Sequence, residues 1–541
     1  MSRGSISRPV ALAFEDGVID EATSVFDFGC GRGGDVRHLR LLGIRASGWD
    51  PNHAADAPRL SATVVNLGYV INVIDDHEER RNALRDAWDL AGEALVVAAR
   101  PAWEQRDVKG RPHADGIITG KDTFQKFYEQ DELRSFIEAT TGQRAVAAAP
   151  GVFYVFKSAH REQAVLARRT RRDGGGRAAR IADLLYDLHR EQLRPLEEFV
   201  SWARRLPASG ELGLAESSIA AELGSIRYAF SLIRRATGVA NWADVALGRS
   251  SQSDRRYETH GQLLRPLEAF VDERGRLPRP GECPDEAFIE EEFGSLRAAF
   301  SLIRRVTGAE RWALAEEHAR RGFLVYLALA AFGGRPRYSD LPADLQFDVR
   351  DLFGTYATAV READRLLFSA GDMDAINEAT RSALVGKVTP EALYVHVSAV
   401  ADLPAVLRVY IGCAEALAGT VEEATILKLH REKPQVSYLA YPRFDTDPHP
   451  ALGTVVIARL GQLRLTFRDF RDSDNPPILH RKETFVNSGY PGYDRFRRLS
   501  EQEDRHDLLS SPSIGNRDGW ERRLEDAGLM LRGHRVERRK K

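Results

Sequence analysis

The sequence predicts an α/β nucleotide-binding domain at its N-terminus, then a helical repeat region, then a mixed α+β C-terminal part. Three observations carry this. An apolar strand runs through a glycine-rich turn into a helix at Val25-Phe26-Asp27-Phe28-Gly29-Cys30-Gly31-Arg32-Gly33-Gly34-Asp35. A block near residue 190 recurs about 70 residues later, the mark of a repeat architecture. Beyond residue 421, short apolar runs alternate with proline-punctuated turns.

The turn is the element from which the chemistry follows. Glycines at 29, 31 and 33 remove Cβ atoms that would keep the backbone away from a ligand, and the helix that follows starts with unpaired amide donors. Gly29, Gly31 and Gly34 also satisfy the dinucleotide pattern G-x-G-x-x-G. The acid at Asp27, two residues before the first glycine, instead resembles the (Asp/Glu)-x-Gly-x-Gly-x-Gly loop of S-adenosylmethionine (SAM) methyltransferases. Gly48-Trp49-Asp50 places a carboxylate where ribose hydroxyls are accepted, which fits either cofactor. Val152-Phe153-Tyr154-Val155-Phe156, after Pro150-Gly151, resembles the last antiparallel strand of a methyltransferase sheet. SAM is therefore preferred to NAD.

With 541 residues the chain exceeds one core, and about 150 residues per domain predicts three or four. A net charge of −2 gives no global field for nucleic acid, so any such site must be a local, Arg-rich patch. Cys30, Cys283 and Cys413 share no metal-ligand spacing, which argues against a disulfide framework and against a zinc site; no metal is expected. Met1–Ser5 has no apolar signal core, and no run approaches the roughly 18 apolar residues of a membrane span, so a cytoplasmic protein is expected.

Taken in order, residues 9–19 read as a helix, Asp35–Leu42 as a second, and Arg45–Trp49 as the second strand. Only a dozen or so residues separate Asp50 from the next strand at Thr63–Val70. A crossover alone takes at least about 10–12, so the region of a third strand is trimmed. The carboxyl end of Val64–Val70 delivers Tyr69, Asn72 and Asp75 to the ligand face. Glu78–Ala91 reads as a helix and Glu93–Arg100 as a strand buried on both faces. Pro101–Lys121 is a polar insertion, either a lid or a solvated loop, before a helix expected at 124–140.

Phe-Gly-Cys-Gly-Arg-Gly-Gly-Asp at 28–35, Val-Val-Asn-Leu-Gly-Tyr-Val-Ile-Asn-Val-Ile at 64–74, Thr-Phe-Gln-Lys at 123–126 and Asn-Pro-Pro-Ile-Leu-His-Arg-Lys-Glu at 475–483 together resemble the DNA phosphorothioation-associated putative methyltransferase family, nearly end to end. The resemblance implies a Rossmann-like class I methyltransferase domain with a trimmed β3 region, set beside bacterial DNA sulfur-modification and defence systems, with SAM as cofactor and with DNA and proteins of that system as partners. Carried over by position, Asp27, Gly29, Cys30, Gly31, Gly33, Asp50 and Asn66 form the cofactor set.

The expected organisation is a methyltransferase-like domain at 1–160, a basic, glycine-containing linker at 161–190, two helical repeats at 191–318, a helical region at 319–420 and a mixed domain at 421–541. Arg168–Arg177 is the basic core of the linker. In the repeats, Leu-Arg-Pro-Leu-Glu recurs at 193 and 264, Gly-Ser-(Ile/Leu)-Arg-x-Ala-Phe-Ser-Leu-Ile-Arg-Arg at 224 and 294, and Trp242 as Trp312. The fixed pattern resembles small helical repeats attached to some homing endonucleases and helicases. Arg227 and Arg234, and likewise Arg297 and Arg304, share one helix face, which either neutralises DNA phosphates or solvates the outside of a core formed by Phe230, Ile233, Phe300 and Ile303. Lys428, His430, Arg431 and Lys433 make a basic pocket if they meet His480, Arg481 and Lys482; otherwise they are scattered surface charge.

Methyl transfer asks the protein to align donor and acceptor and, for some acceptors, to remove a proton. Tyr69, Asn72 and Asp75 are the catalytic candidates. No (Asp/Asn)-Pro-Pro-(Tyr/Phe) motif follows Val64–Val70, and Asn475-Pro476-Pro477-Ile478 reads as a turn. Cys283-Pro284 reverses the Pro-Cys order that carbon-5 cytosine chemistry needs. A non-catalytic DNA-binding scaffold with a degenerate methyltransferase fold is the alternative, and an NAD-dependent oxidoreductase the third reading.

Overall fold

The strand leading into the glycine turn, β1 (Ser24–Phe28), lies inside a six-stranded sheet with β2 (Arg45–Trp49), β3 (Ala62–Gly68), β4 (Ala91–Ala98), β8 (Ala145–Ala149) and β9 (Val152–Phe156). The order is β2-β1-β3-β4-β9-β8. The first four strands are parallel, and β9 runs antiparallel to both its neighbours. This is a mixed α/β fold in the computed structural model, which describes residues 6–172, 185–186, 188–247 and 251–539.

Alternation along each strand sorts side chains to two faces. Val25, Val64, Ala94, Val96 and Ala98 pack against α1 (Arg8–Glu15), α2 (Gly34–Leu41) and Val165 of α5 (Ala159–Arg172). Phe26, Phe28, Val65, Leu67, Leu95 and Val97 pack against α3 (His77–Leu90) and α4 (Gln130–Thr141). Apolar cover on both faces explains why β4 reads as a continuous apolar run. β2 stands at the sheet edge, so the short segment after Asp50 adds no strand outside it. Instead the Arg59 guanidinium lies 3.9 Å over the Trp49 ring and pairs with Asp86 of α3 at 2.9 Å.

Two stretches differ from expectation. Phe124–Gln125 is a strand, β7, not the start of a helix: it pairs with β6 (Gly116–Thr119), which pairs with β5 (Gly110–His113), and Phe124 is buried by that pairing. The helix begins six residues later, where Glu129 N donates to Glu132 across its first turn. The insertion is thus a three-stranded sheet rather than an irregular loop. Similarly, the first part of the stretch read as a linker continues α5 to Arg172, where Arg169 donates to Ala147 O at 3.0 Å and Thr420 Oγ1 at 3.1 Å. The linker's Asp173–Arg177 lies outside the described residues.

The chain divides into two compact units, one of Met1–Asp173, Val325–Pro342 and Ala363–Lys541, the other of Gly174–Leu324 and Ala343–Glu362. The second holds the repeats: α6 (Arg190–Ala203), α7 (Leu214–Leu223) and α8 (Ile226–Thr237) in one copy, α9 (Gln252–Thr259), α10 (Gly261–Arg274), α11 (Glu286–Phe293) and α12 (Leu296–Thr307) around the other, then the start of α13 (Ala309–Ala330), and α14 (Ala343–Phe353). One core joins Leu193, Leu196, Phe230, Ile233 and Trp242 to Leu264, Leu267, Ile303 and Trp312.

In the first unit a second six-stranded sheet is fully antiparallel, in the order β10 (Lys387–Val388), β11 (Ala392–His396), β12 (Ile426–His430), β13 (Gln435–Ala440), β14 (Thr454–Arg459), β15 (Arg464–Asp469). Two of these strands lie within 319–420, the stretch read as helical, because Ala392–His396 pairs residue for residue with β12. The two sheets are bound within this unit: Trp103 stacks on Phe467 at 5.3 Å, and Arg134 of α4 donates to Ala416 O at 2.6 Å.

Candidate functional site

The turn after β1 is tied down from β2. Gly29 N and Cys30 N both donate to Trp49 O, at 2.8 and 3.0 Å, and Gly31 N donates to Asp50 Oδ2 at 2.9 Å. Gly29, Gly31 and Gly33 have φ of 82°, 53° and 70°, a region that side chains disfavour. Their surroundings differ. A Cβ on Gly29 would meet Val70 Cγ2 at 2.4 Å, so that glycine serves internal packing. Cβ atoms on Gly31, Gly33 and Gly34 would meet nothing within 4 Å. The loop therefore presents bare backbone to open space at the start of α2.

Acids border that space. Asp27 is buried and accepts from Asn66 Nδ2 at 2.8 Å across the β1–β3 register. Asn66 Oδ1 is buried and has no partner among the described residues. Asp35 is buried at the start of α2 and accepts from Ser7 N at 2.7 Å. Burial, then Asp27, then Asp50 push the Cys30 thiol up to about 11, so it stays protonated at neutral pH and is no nucleophile. Asp50, expected to hold ribose hydroxyls, already accepts three backbone N–H groups, from Gly31 on Oδ2 and from Asn52 and His53 on Oδ1 at 2.9 Å each. A carboxylate offers about four lone-pair sites, so Asp50 first buckles the glycine loop to β2 and has little capacity left.

The catalytic candidates sit on the segment after β3, and the insertion grips it. Tyr69 has φ 62°, a strained conformation for a non-glycine residue, and its N–H donates to Ala98 O. Asn72 is buried; its Nδ2 donates to Gln125 Oε1 at 3.1 Å, its carbonyl accepts from Lys126 N at 2.8 Å, and its Oδ1 has no partner among the described residues. Asp75 is exposed, with His113 Nε2 of β5 at 3.8 Å.

What fastens the insertion is a partly buried ion network. Arg80, 1% exposed, donates to Asp115 and to Ile74 O, while Lys126 reaches Asp115 at 2.9 Å and Glu132 at 2.6 Å. Hydrogen bonds from Arg80 hold the Asp115 carboxyl well below its usual range, against the burial that raises it. An insertion anchored in this way is a fixed wall rather than a free lid. His113 and Asp115 are functional-site neighbours that the sequence reading missed, since only pairing between β5 and β6 places them beside the segment after β3.

Of the four arginines expected to meet DNA, Arg227 is already engaged, with Glu258 at 2.7 Å and Leu247 O at 2.9 Å, and Arg234 is half-buried over Phe230. Arg297 and Arg304 are exposed. The two C-terminal basic groups take separate partners: Lys428 pairs with Glu391, Arg431 with Asn377, Arg481 with Asp504, and Lys482 is buried against Phe444 O. Burial lowers Lys482 to about 7. Asn475 Oδ1 accepts from Asp518 N at 3.0 Å, a turn contact.

No family model matches the chain, and no curated protein matches it. Among solved structures, a similar one is the 1,6-didemethyltoxoflavin-N1-methyltransferase of Burkholderia thailandensis, crystallised with 1,6-didemethyltoxoflavin and S-adenosylhomocysteine. It is 14% identical over 28% of this chain and 76% of that one, with a TM-score of 0.21. A likeness at that score carries no argument, so function is argued from the site. Among the described residues no helix is long and apolar enough to cross a membrane.

Proposed function

We propose that the chain is a SAM-dependent methyltransferase of a DNA phosphorothioation system, acting on DNA or guided by it. The observation that carries the cofactor assignment is the open backbone at Gly31, Gly33 and Gly34 bordered by Asp27, Asp35, Asp50 and the unpartnered Asn66 Oδ1. Carboxylates and an amide oxygen suit a sulfonium and an ammonium group; they repel the pyrophosphate of a dinucleotide. The sheet order, four parallel strands closed by an antiparallel hairpin, supports the same reading. When bound, SAM supplies an electrophilic methyl group. The protein's part is to hold the donor over the glycine loop and position the acceptor against the Tyr69–Asp75 segment and the β5–β6 wall. The DNA setting rests on the motif resemblance, and the exposed Arg297 and Arg304 are the phosphate contacts it calls for.

Titration calorimetry of the folded chain with SAM tests this. Heat of binding is expected, and Asp50→Ala should weaken it by about 1–3 kcal/mol by freeing the glycine loop. Transfer of labelled methyl onto sulfur-modified or unmodified DNA then identifies the acceptor. A second reading, a non-catalytic DNA-binding scaffold, is favoured by two features: Asp50 is largely occupied by backbone amides, and β2 has no outer neighbour among the described residues. A folded chain giving no heat with SAM selects the scaffold.

A further inference from the structure

We propose that His189, Gln192 and Glu222 bind a divalent transition-metal ion of the zinc type, with Glu310 orienting the imidazole, and that this ion fastens the two copies of the repeat. One ligand atom from each of His189, Glu222 and Glu310 lies within 4.8 Å of the others. His189 precedes α6, Gln192 is on it and Glu222 ends α7, all in the first copy; Glu310 opens α13, after the second.

Backbone geometry brings them together. Gly224 follows Glu222 by two residues and Gly308 precedes Glu310 by two. Both have positive φ, 79° and 82°, and they abut: a Cβ on Gly224 would lie 2.3 Å from Gly308 N, and one on Gly308 2.6 Å from Glu222 O. With any larger residue the chains could not approach this closely.

The contacts round the ring point to a cation. Glu310 Oε2 lies 2.5 Å from His189 Nε2, so a carboxylate backs one ring nitrogen. Nδ1 faces two further oxygen atoms, Gln192 Oε1 in direct contact and Glu222 Oε2 at 3.0 Å. Turning the Gln192 amide over changes one contact and leaves the carboxylate facing Nδ1. A metal on Nδ1 would be shared with these oxygen ligands, and an imidazole backed by a carboxylate on its other nitrogen is the usual support of such a ligand. One nitrogen with oxygen ligands suits zinc and its neighbours in the first transition row. The His189 side chain is 7% exposed and that of Glu222 42%, so the ion is entered from the Glu222 side and keeps room for water.

The second copy serves as an internal control. His260 and Glu292 repeat the imidazole–carboxylate pair at 3.4 Å, but Leu263 replaces Gln192. This departs from the expectation, drawn from cysteine spacing, that the chain holds no metal.

The full chain, equilibrated with one zinc per molecule and desalted, should retain one zinc by mass spectrometry and melt at a higher temperature than after chelation. Glu222→Gln should weaken zinc binding at least tenfold and remove the chelator's effect on melting, whereas His260→Gln should change neither. Equal zinc retention by wild type and Glu222→Gln, or a wild-type melt that ignores zinc, overturns the proposal and leaves a doubly protonated ring clasped by two acids. If Glu222→Gln does not fold, competition of wild type against a chromogenic chelator decides, and no site tighter than micromolar overturns it.

Discussion

The two copies of the repeat share their local chemistry and differ in what packs on it. In each, a serine caps the arginine-bearing helix, Ser225 from Tyr228 N and Ser295 from Ala298 N, both at 3.1 Å. Trp242 and Trp312 donate to Thr237 and Thr307, at 2.7 and 2.9 Å, and each indole meets Phe230 or Phe300 edge-on. Arg205 grips Glu211 as Arg276 grips Glu282, each guanidinium 5.2 Å over Phe199 or Phe270. Yet the Arg205 side chain is 44% exposed and that of Arg276 2%, because α14 closes over the second copy and brings Asp348 to 2.7 Å. Even the helix ends follow this rule. Arg204 tolerates φ 51° in the open, whereas its counterpart must be Gly275, where a Cβ would strike Glu316 Cα at 2.7 Å. One motif thus carries two energies, set by its neighbours.

The largest expected effect breaks the copies apart. Arg276→Met leaves the half-buried Glu282 without its partner and Asp348 with Arg274 alone, 2.8 Å away, and should cost about 3 kcal/mol. Arg205→Met leaves Glu211 to water and should change unfolding little. Urea unfolding of the two variants measures the difference. Equal costs would mean that α14 contributes nothing to the second copy.

Acid sharpens the same contrast. Burial alone raises Glu282, but hydrogen bonds from Arg276 and from Arg279 N–H outweigh it and hold the carboxyl below its ordinary value. A depressed carboxylate contributes stability above its unfolded pKa, about 4.3, and loses it as pH falls through the folded one. Glu282→Gln should therefore cost about 2 kcal/mol at pH 7 and progressively less below pH 4. Arg205 draws Glu211 down to about 2, but that group is solvated, so Glu211→Gln should change unfolding little at any pH. A penalty for Glu282→Gln that persists undiminished at pH 3 contradicts the assignment.

The duplication and most of the N-terminal strands were legible in the chain itself: a short motif that recurs about 70 residues later, or a five-residue apolar run, needs no knowledge of how distant segments pack. The differences between copies were not, since α14 reaches the second copy from over 60 residues away and nothing in Arg205 or Arg276 announces it. The same holds at the candidate site. Glycine spacing pointed to the loop, whereas Asp50's occupation by three amides depends on how the turn after β2 folds back. Phe124–Gln125 read as helix because the residues following it are helical; pairing with β6 overrode that propensity.

The smallest effect concerns the arginines. Arg227 gives its hydrogen bonds to Glu258 and to Leu247 O, while Arg297 and Arg304 stand exposed on the equivalent helix. An arginine held by a carboxylate releases no counterion when a phosphate approaches, so it adds nothing to the salt dependence of DNA binding. If the chain binds duplex DNA through this face, Arg297→Ala with Arg304→Ala should reduce the slope of log K against log salt by about 2. Arg227→Ala with Arg234→Ala should leave the slope within about 0.5 of wild type. Equal reductions by both pairs would show that the first copy frees its arginines on binding; no reduction by either would remove the repeats as the DNA surface.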